Sequence, residues 1–376
     1  MAVLMTAVGD ILVDRKEPDT LFAHTAKYFR ESDIAFGQME TCYSDKGSKG
    51  SSGPRGANNK DPHNLPAIPN AGFNVVSVAS NHILDWGRDA LLDCIERFRK
   101  AKVVPFGAGA NSAEARTPAI IERGGMKIGF LGYCSVAPKS YYSAAEKCGV
   151  APMQAITHYE PIEDDQPGNP ARIMTYPFQP DLDALLEDVK KLRPQVDILI
   201  VSIHWGIHHI KGAIADYQPV VAHAAIDAGC DLILGHHPHI LHGVEIYKGK
   251  VVLYSMGNFA FDLTHVDRGM DAVWNNERKK FLQQYWNVPP HEKGDNKYLF
   301  QPDARYSMIV KVTMDEKKIK RVSFVPVVIN KNCEPVPYSP SSPEGKEVID
   351  YLTQVTQMPG LNGTFTVEGE EVVILK

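Results

Sequence analysis

The sequence predicts an α/β fold built on a largely parallel or mixed sheet. Three observations predict it: the apolar runs are strand-sized, segments with helical spacing alternate with them, and chemically versatile polar residues fall directly after the strands. Taken in order, residues 3–8 read as a buried strand, followed by strands at 34–39, 74–79, 127–133, 196–203, 231–234 and 251–254. Helical spacing occurs at 89–100, through Leu91, Leu92, Ile95 and Phe98. It recurs at 181–192, through Leu182, Leu185, Leu186 and Val189, opened by Pro180-Asp181 and closed before Pro194. Residues 219–228 form a helix that stops at Gly229, a C-cap residue. Residues 307–313 and 320–329 alternate like an antiparallel pair joined by a charged turn, and the tail predicts a helix over 344–357 and a hairpin over 364–376. Two stretches break the pattern. Residues 44–64, rich in Gly, Ser, Asn and Lys, read as a mobile loop. Residues 262–304 carry Trp274, Phe281, Tyr285 and Trp286 among charges and read as an inserted lid or interaction element, with a helix over 272–285.

Composition narrows the function classes. Over 376 residues, 40 Lys+Arg stand against 45 Asp+Glu, a net charge of −5. Binding nucleic acid through bulk charge needs a basic excess, so that class is excluded. No apolar run approaches the ~18–20 residues that cross a bilayer, so no membrane span is expected. The opening MAVLMTAVGD shows no signal-peptide pattern, and six cysteines are scattered without a C-x-x-C pair. A cytoplasmic protein with reduced thiols is the expectation. The length is compatible with one large domain or two.

The placement of polar residues carries the functional signal. Asp10 follows the first strand, Glu40 the second, and Asn81 and His82 the third; His204 ends the fifth, and His237 and His239 follow the sixth. Loops beyond the carboxyl ends of parallel strands converge, so residues far apart in the chain reach one edge. Carboxylate, amide oxygen and neutral imidazole are ligands for Mn, Fe or Zn, and no cysteine sits at ligand spacing. Each residue alone has an ordinary explanation: a helix cap for Asp10, a surface acid for Glu40, a turn residue for Asn81, a structural histidine for His82. His204 resists one, because it ends the apolar run ILIVSI. The cluster Gly235–His239, with three histidines in four residues after a buried strand, resists it most.

The segments AVGDILVDR, QMETCYSD, VVSVASNHILDWG, VSIHWG, AAIDAGCDLILGHHPHIL and VVLYSMGNFAFD resemble the CapA family, the poly-γ-glutamate (capsule) biosynthesis domain, itself similar to calcineurin-like metallophosphoesterases. The resemblance covers roughly residues 3–262 and resumes near 305–330. It implies a four-layer α/β/β/α sandwich of metallophosphoesterase-like type over 1–330, with a C-terminal extension over 331–376. It also implies two divalent metal ions (Mn, Zn or Fe), held by Asp10, Glu40, Asn81, His204, His237 and His239. Glu40 takes the place of the bridging carboxylate, and His236 is expected just outside the ligand set. Where the phosphoesterases carry a further His, this chain has Leu12, so one ion has fewer protein ligands. His82 matches the residue that protonates or stabilises the reacting group, with Asp85 orienting it.

After H-W-G the family commonly carries a Glu and an aromatic residue; this chain has Ile207, His208 and His209. His208 is therefore a candidate for altered acid/base chemistry, and Arg55, Trp205, His209, Asn258 and Arg305 are candidates for substrate contact. The expected chemistry is metal-assisted hydrolysis or transfer of an amide, peptide or γ-glutamyl bond in a small-molecule or peptide substrate bearing a carboxylate. Epimerisation by proton abstraction, phosphoester hydrolysis and a non-catalytic role in capsule assembly are the alternatives.

Overall fold

The structure, a computed structural model, describes residues 2–48, 61–163, 165–166, 168–262, 298 and 300–376. Two sheets lie face to face. The larger runs in the order Thr366–Glu368, Glu371–Leu375, Lys318–Ile329, Tyr306–Asp315, Val3–Leu12, Ile34–Met39, Val75–Ser77, Val104–Phe106, and Asn258–Phe261 pairs in parallel with the end of Val3–Leu12. The smaller runs Val244–Tyr247, Lys250–Leu253, Leu232–His236, Ile198–His204, Met126–Cys134, Ala119–Arg123. In each sheet the strands nearest the middle are parallel and buried along nearly their whole length, which is why they read as continuous apolar runs rather than alternating ones.

The side-chain period of two sorts these strands between layers. Ile198 and Ile200 face inward with Met5, Ala7, Phe36, Phe130, Leu234 and Val310. Leu199, Val201 and Ile203 face outward, under the helices Gln179–Leu192 and Tyr217–Ala228, which bury Leu185, Val189, Val221 and Ala225. On the far side, Arg88–Lys100 lays Leu91, Ile95 and Phe98 against Ile11, Val76 and Val78. The outcome is the four-layer α/β/β/α sandwich that the sequence led us to expect. The strands and helices anticipated from periodicity are present, most with ends moved by one to four residues, the usual error where chain ends fray.

The chain beyond residue 330 is built into this sandwich. Pro335–Pro337 and Glu371–Leu375 both pair with Lys318–Ile329. The helix Pro343–Gln357 begins at Ser342, whose side chain accepts from Gly345 N at 3.0 Å. It places Val348, Leu352 and Val355 in the inter-sheet core beside Val244, Phe324 and Val372, closing one side of the sandwich. Several elements have no counterpart in the sequence reading, among them the strands Val104–Phe106, Ala119–Arg123, Val244–Tyr247 and Asn258–Phe261 and a two-stranded ribbon of Ala155–Pro161 and Ala171–Pro177, exposed along most of its length. Most of the 44–64 loop and of the 262–304 insertion, including the helix expected over 272–285, lies outside the described residues. Among the described residues no helix is long and apolar enough to cross a membrane.

Leu352→Ala should cost about 2–5 kcal/mol, the range for emptying a buried leucine site. Urea unfolding measures it, with Met358→Ala, exposed at the end of the same helix, as a control expected within ~0.5 kcal/mol of wild type.

Candidate metal centre

The carboxyl ends of the two sheets meet at one edge, and five strands deliver polar side chains there. Asp10 is set by a close backbone approach. A Cβ on Gly9 would lie 2.0 Å from Gly257 O, so glycine lets the first strand run against the turn that precedes Asn258, and Asp10 N donates to Gly257 O at 2.9 Å. Glu40 follows its strand directly, Asn81 stands four residues beyond the end of Val75–Ser77, and His204 is the last residue of its own strand. His236 ends the neighbouring strand in register with His204. His237 and His239 then adopt φ of 99° and 61°. A left-handed backbone costs a non-glycine residue of order 1–3 kcal/mol and persists where the surroundings impose it.

Asp10, Glu40 and His204 are wholly buried and offer ligand atoms within 4.8 Å of one another. The densest point is His204 Nε2: Asn81 Oδ1 lies at 2.9 Å, Glu40 Oε1 at 3.0 Å and His237 Nδ1 at 3.2 Å. A single imidazole nitrogen cannot satisfy three such neighbours as hydrogen-bond partners. Ligand atoms ~2.0–2.1 Å from a tetrahedral ion stand roughly 3.3 Å apart, close to this spacing. On the other side of Asp10, His239 Nδ1 is 3.6 Å from Oδ2 and His236 Nδ1 is 3.7 Å from Oδ1. His237 N donates to Asp10 Oδ2 at 3.3 Å.

The electrostatics match a site shaped for cations. Burial, then the charge of Glu40, pushes the Asp10 carboxyl well above its ordinary value. Burial also acts to raise Glu40, but the neighbouring His204 outweighs it and holds the group at about 2. Burial pushes His237 far down and His239 down to about 4, so both imidazoles are neutral, the form that binds metal. Asp10 Oδ1, His204 Nδ1 and both ring nitrogens of His236 are buried with no hydrogen-bond partner among the described residues. The donor set therefore fits divalent transition-metal ions.

Around this set the chain supplies supports. Ser80 Oγ donates to Glu40 Oε2 at 2.8 Å. Asn258 Oδ1 lies 2.8 Å from His239 Nδ1, while its Nδ2 donates to Tyr298 Oη at 2.9 Å. His82 stands at the rim of the site, partly exposed, with Nδ1 2.8 Å from Asp85 Oδ2, and Tyr141 Oη donates to Asp85 Oδ1 at 3.0 Å.

The remaining candidates scatter. His208 joins the cluster, its ring centroid 3.7 Å from that of His237, and His209 lies 5.5 Å from His239 in the same measure. Asn258 is buried and spends both amide atoms on His239 and Tyr298, so it steadies a candidate ligand rather than facing substrate. Trp205 corrects the expectation of substrate contact: it is wholly buried, stacked on Tyr254 at 5.8 Å, with Nε1 donating to Tyr254 O. Its apolar surface belongs to the core beneath the site. Arg305 sits over the Tyr298 ring at 4.5 Å and donates to Ile329 O and Asn330 O, which places it behind Tyr298. Arg55 lies outside the described residues. Sequence reasoning missed Ser80, Tyr141 and Tyr298. Ser80 stands beside Asn81 and was within reach of it; Tyr141 and Tyr298 carry no local signal.

Comparison with known proteins adds the following. Residues 4–263 match the family described as bacterial capsule synthesis protein PGA_cap. Among curated proteins, the chain is 28% identical over 295 residues to capsule biosynthesis protein CapA of Bacillus anthracis, covering 75% of this chain and 63% of that protein. It is 27% identical over 289 residues to PGA biosynthesis protein CapA of Bacillus subtilis, covering 74% and 66%. Each match spans less than two thirds of the relative's length. A solved structure of a hypothetical protein from Thermus thermophilus aligns with 16% identity and a TM-score of 0.46, covering 86% of this chain and 98% of that one.

If the site holds cations, Mn²⁺ or Zn²⁺ should raise the thermal transition of chelator-treated protein. Ligand at 100 times its Kd stabilises by about 2.7 kcal/mol. Glu40→Gln and His204→Ala should lose most of that shift and most of the metal retained on a desalting column, read by elemental mass spectrometry. An unchanged transition and no retained metal in wild type would count against the site.

Proposed function

The chain belongs to the bacterial capsule synthesis protein PGA_cap family, and on that footing we propose that it is a metal-dependent hydrolase cutting an amide bond beside a carboxylate, of the γ-glutamyl type. The observation that carries the reading is the convergence of Asn81, Glu40 and His237 on His204 Nε2 within 3.2 Å. Two divalent ions are the reading for the metal. Asn81, His204 and His237 would hold one, Asp10 and His239 the other, and Glu40 would bridge them. Ions so placed polarise a carbonyl or phosphoryl oxygen and make water a nucleophile near neutral pH.

The chain's own residues do the rest. His82 is not among the buried donors; Asp85 holds its Nδ1 and so orients the imidazole to carry a proton to the leaving nitrogen. Tyr141 holds the other Asp85 oxygen, so the carboxylate cannot swing away from the imidazole. Burial of Glu40 and His204 excludes bulk water from the polar cluster, which strengthens every charge interaction inside it. None of the six cysteines forms a disulfide and all are buried, and we place the activity in the cytoplasm on that account. The second reading, a capsule-assembly component without catalysis, draws on the names of the relatives. Against it stands a full donor set, with the single departure at Leu12.

Metal-loaded protein should release glutamate from poly-γ-glutamate or γ-glutamyl peptides, with one ¹⁸O from labelled water in each newly formed carboxyl. His82→Ala should lower kcat by about 10²–10⁴ while keeping wild-type metal content. Deuterium exchange at the α-carbon without cleavage would support epimerisation instead, and rapid turnover of a nitrophenyl phosphate would support phosphoester chemistry.

A further inference from the structure

The two ions of the proposed function are unequally provided for. Asn81, His204, His237 and Glu40 serve one. The other has Asp10, His239 and the shared Glu40. Leu12, two residues after Asp10, is wholly buried and carries no donor atom. The chain holds a further imidazole at this point. His236 ends the strand Leu232–His236, paired in register with His204 on the parallel strand Ile198–His204. Leu232 and Leu234 belong to the inter-sheet core, so strand alternation turns His236 the same way, toward the larger sheet and Asp10.

His236 is wholly buried, and both of its ring nitrogens lack a hydrogen-bond partner among the described residues, as does Asp10 Oδ1. A neutral imidazole has one donor and one acceptor, and sealing both from water unmet is unfavourable. Packing does not account for the residue type: the ring lies 5.7 Å from that of Phe36 between centroids, a contact an apolar side chain could make as well. The two atoms brought together are the two left without a bond, for His236 Nδ1 lies 3.7 Å from Asp10 Oδ1. That separation is too long for a hydrogen bond. It is too short for a bridging water, which with bonds of ~2.8 Å would hold the pair roughly 4.5 Å apart. A cation ~2.0–2.2 Å from each of two donors sets them roughly 3–4 Å apart, and the observed spacing falls in that range.

We propose that His236 is a direct ligand of the ion on Asp10, bound through Nδ1, and makes up the donor that Leu12 lacks. The proposal rests on the two-ion reading above. It also gives the register a purpose. Two neighbouring strands end level in His204 and His236, so the smaller sheet sends an imidazole to each ion from regular, rigid backbone.

Chelator-treated protein reloaded with Co²⁺, a spectroscopic stand-in for Zn²⁺, tests it. Calorimetry should count two ions in wild type. The proton spectrum should show four contact-shifted imidazole N–H signals, one each from His204, His236, His237 and His239. His236→Gln, which keeps a polar side chain of similar length, should show three. It should bind one ion more weakly by roughly 100-fold or more and the other within about threefold of wild type. A residue that only steadied Asp10 would cost ~10–100-fold and remove no shifted signal. That result would overturn the proposal, as would a His236→Gln protein that binds both ions like wild type. Two ions with only three shifted signals in wild type would overturn it without any variant. Fewer than two ions in wild type would overturn the two-ion reading itself, and this proposal with it.

Discussion

Two carboxylates and a group of imidazoles, buried together where water cannot reach, set the terms for the rest of this molecule. An ionised carboxylate removed from water is strongly unfavourable unless an opposite charge or a set of hydrogen bonds compensates it. Asp10 and Glu40 are both wholly buried, and the imidazoles beside Asp10, His236 and His239, are ones that burial itself tends to keep neutral. The arrangement is high in energy as bare protein and becomes favourable once positive charge is supplied at its centre. Features that look separate, such as the left-handed histidines and the glycine beneath Gly257, are ways of holding that unfavourable arrangement in place.

The two sheets make this possible by dividing the work. Asp10, Glu40 and Asn81 come from the larger sheet, and His204, His236 and His237 from the smaller. Each group rides on strands whose flanks are filled by apolar side chains on both faces, so none can move far without opening a packed layer. Behind them Ser80 and Asn258 bind atoms of the candidate ligands Glu40 and His239 and fix their orientation, and Tyr298 in turn holds Asn258.

Much of this was legible in the sequence because parallel strands buried on both faces leave an unmistakable trace, and because their carboxyl ends must share an edge. The positions of Asp10, Glu40, Asn81, His204 and His237 follow from that rule together with the chemical types. The failures have equally physical causes. Trp205 was misassigned because adjacency to His204 in a strand says nothing about facing; the period of two sends it to the opposite side, under the helices. Tyr141 and Tyr298 reach the site through tertiary contacts from irregular segments, where no periodicity records them. The ribbon at 155–177 escaped notice because its polar and apolar residues serve no core of the same chain.

The strand bearing Asp10 has a further consequence for how the protein comes into being. Val3–Leu12 is flanked by Ile34–Met39 on one side and by Tyr306–Asp315 and Asn258–Phe261 on the other. During synthesis the partners on its second side, which lie hundreds of residues further along, leave the ribosome tens of seconds after it, at roughly 5–20 residues per second. A contact that distant in sequence is slow to close. The nascent chain must therefore carry an apolar strand with one bare edge until those partners have been made, a natural binding site for chaperones. Asp10 is made long before it is fully seated, so a cation at this site could be captured only once those late partners are in place.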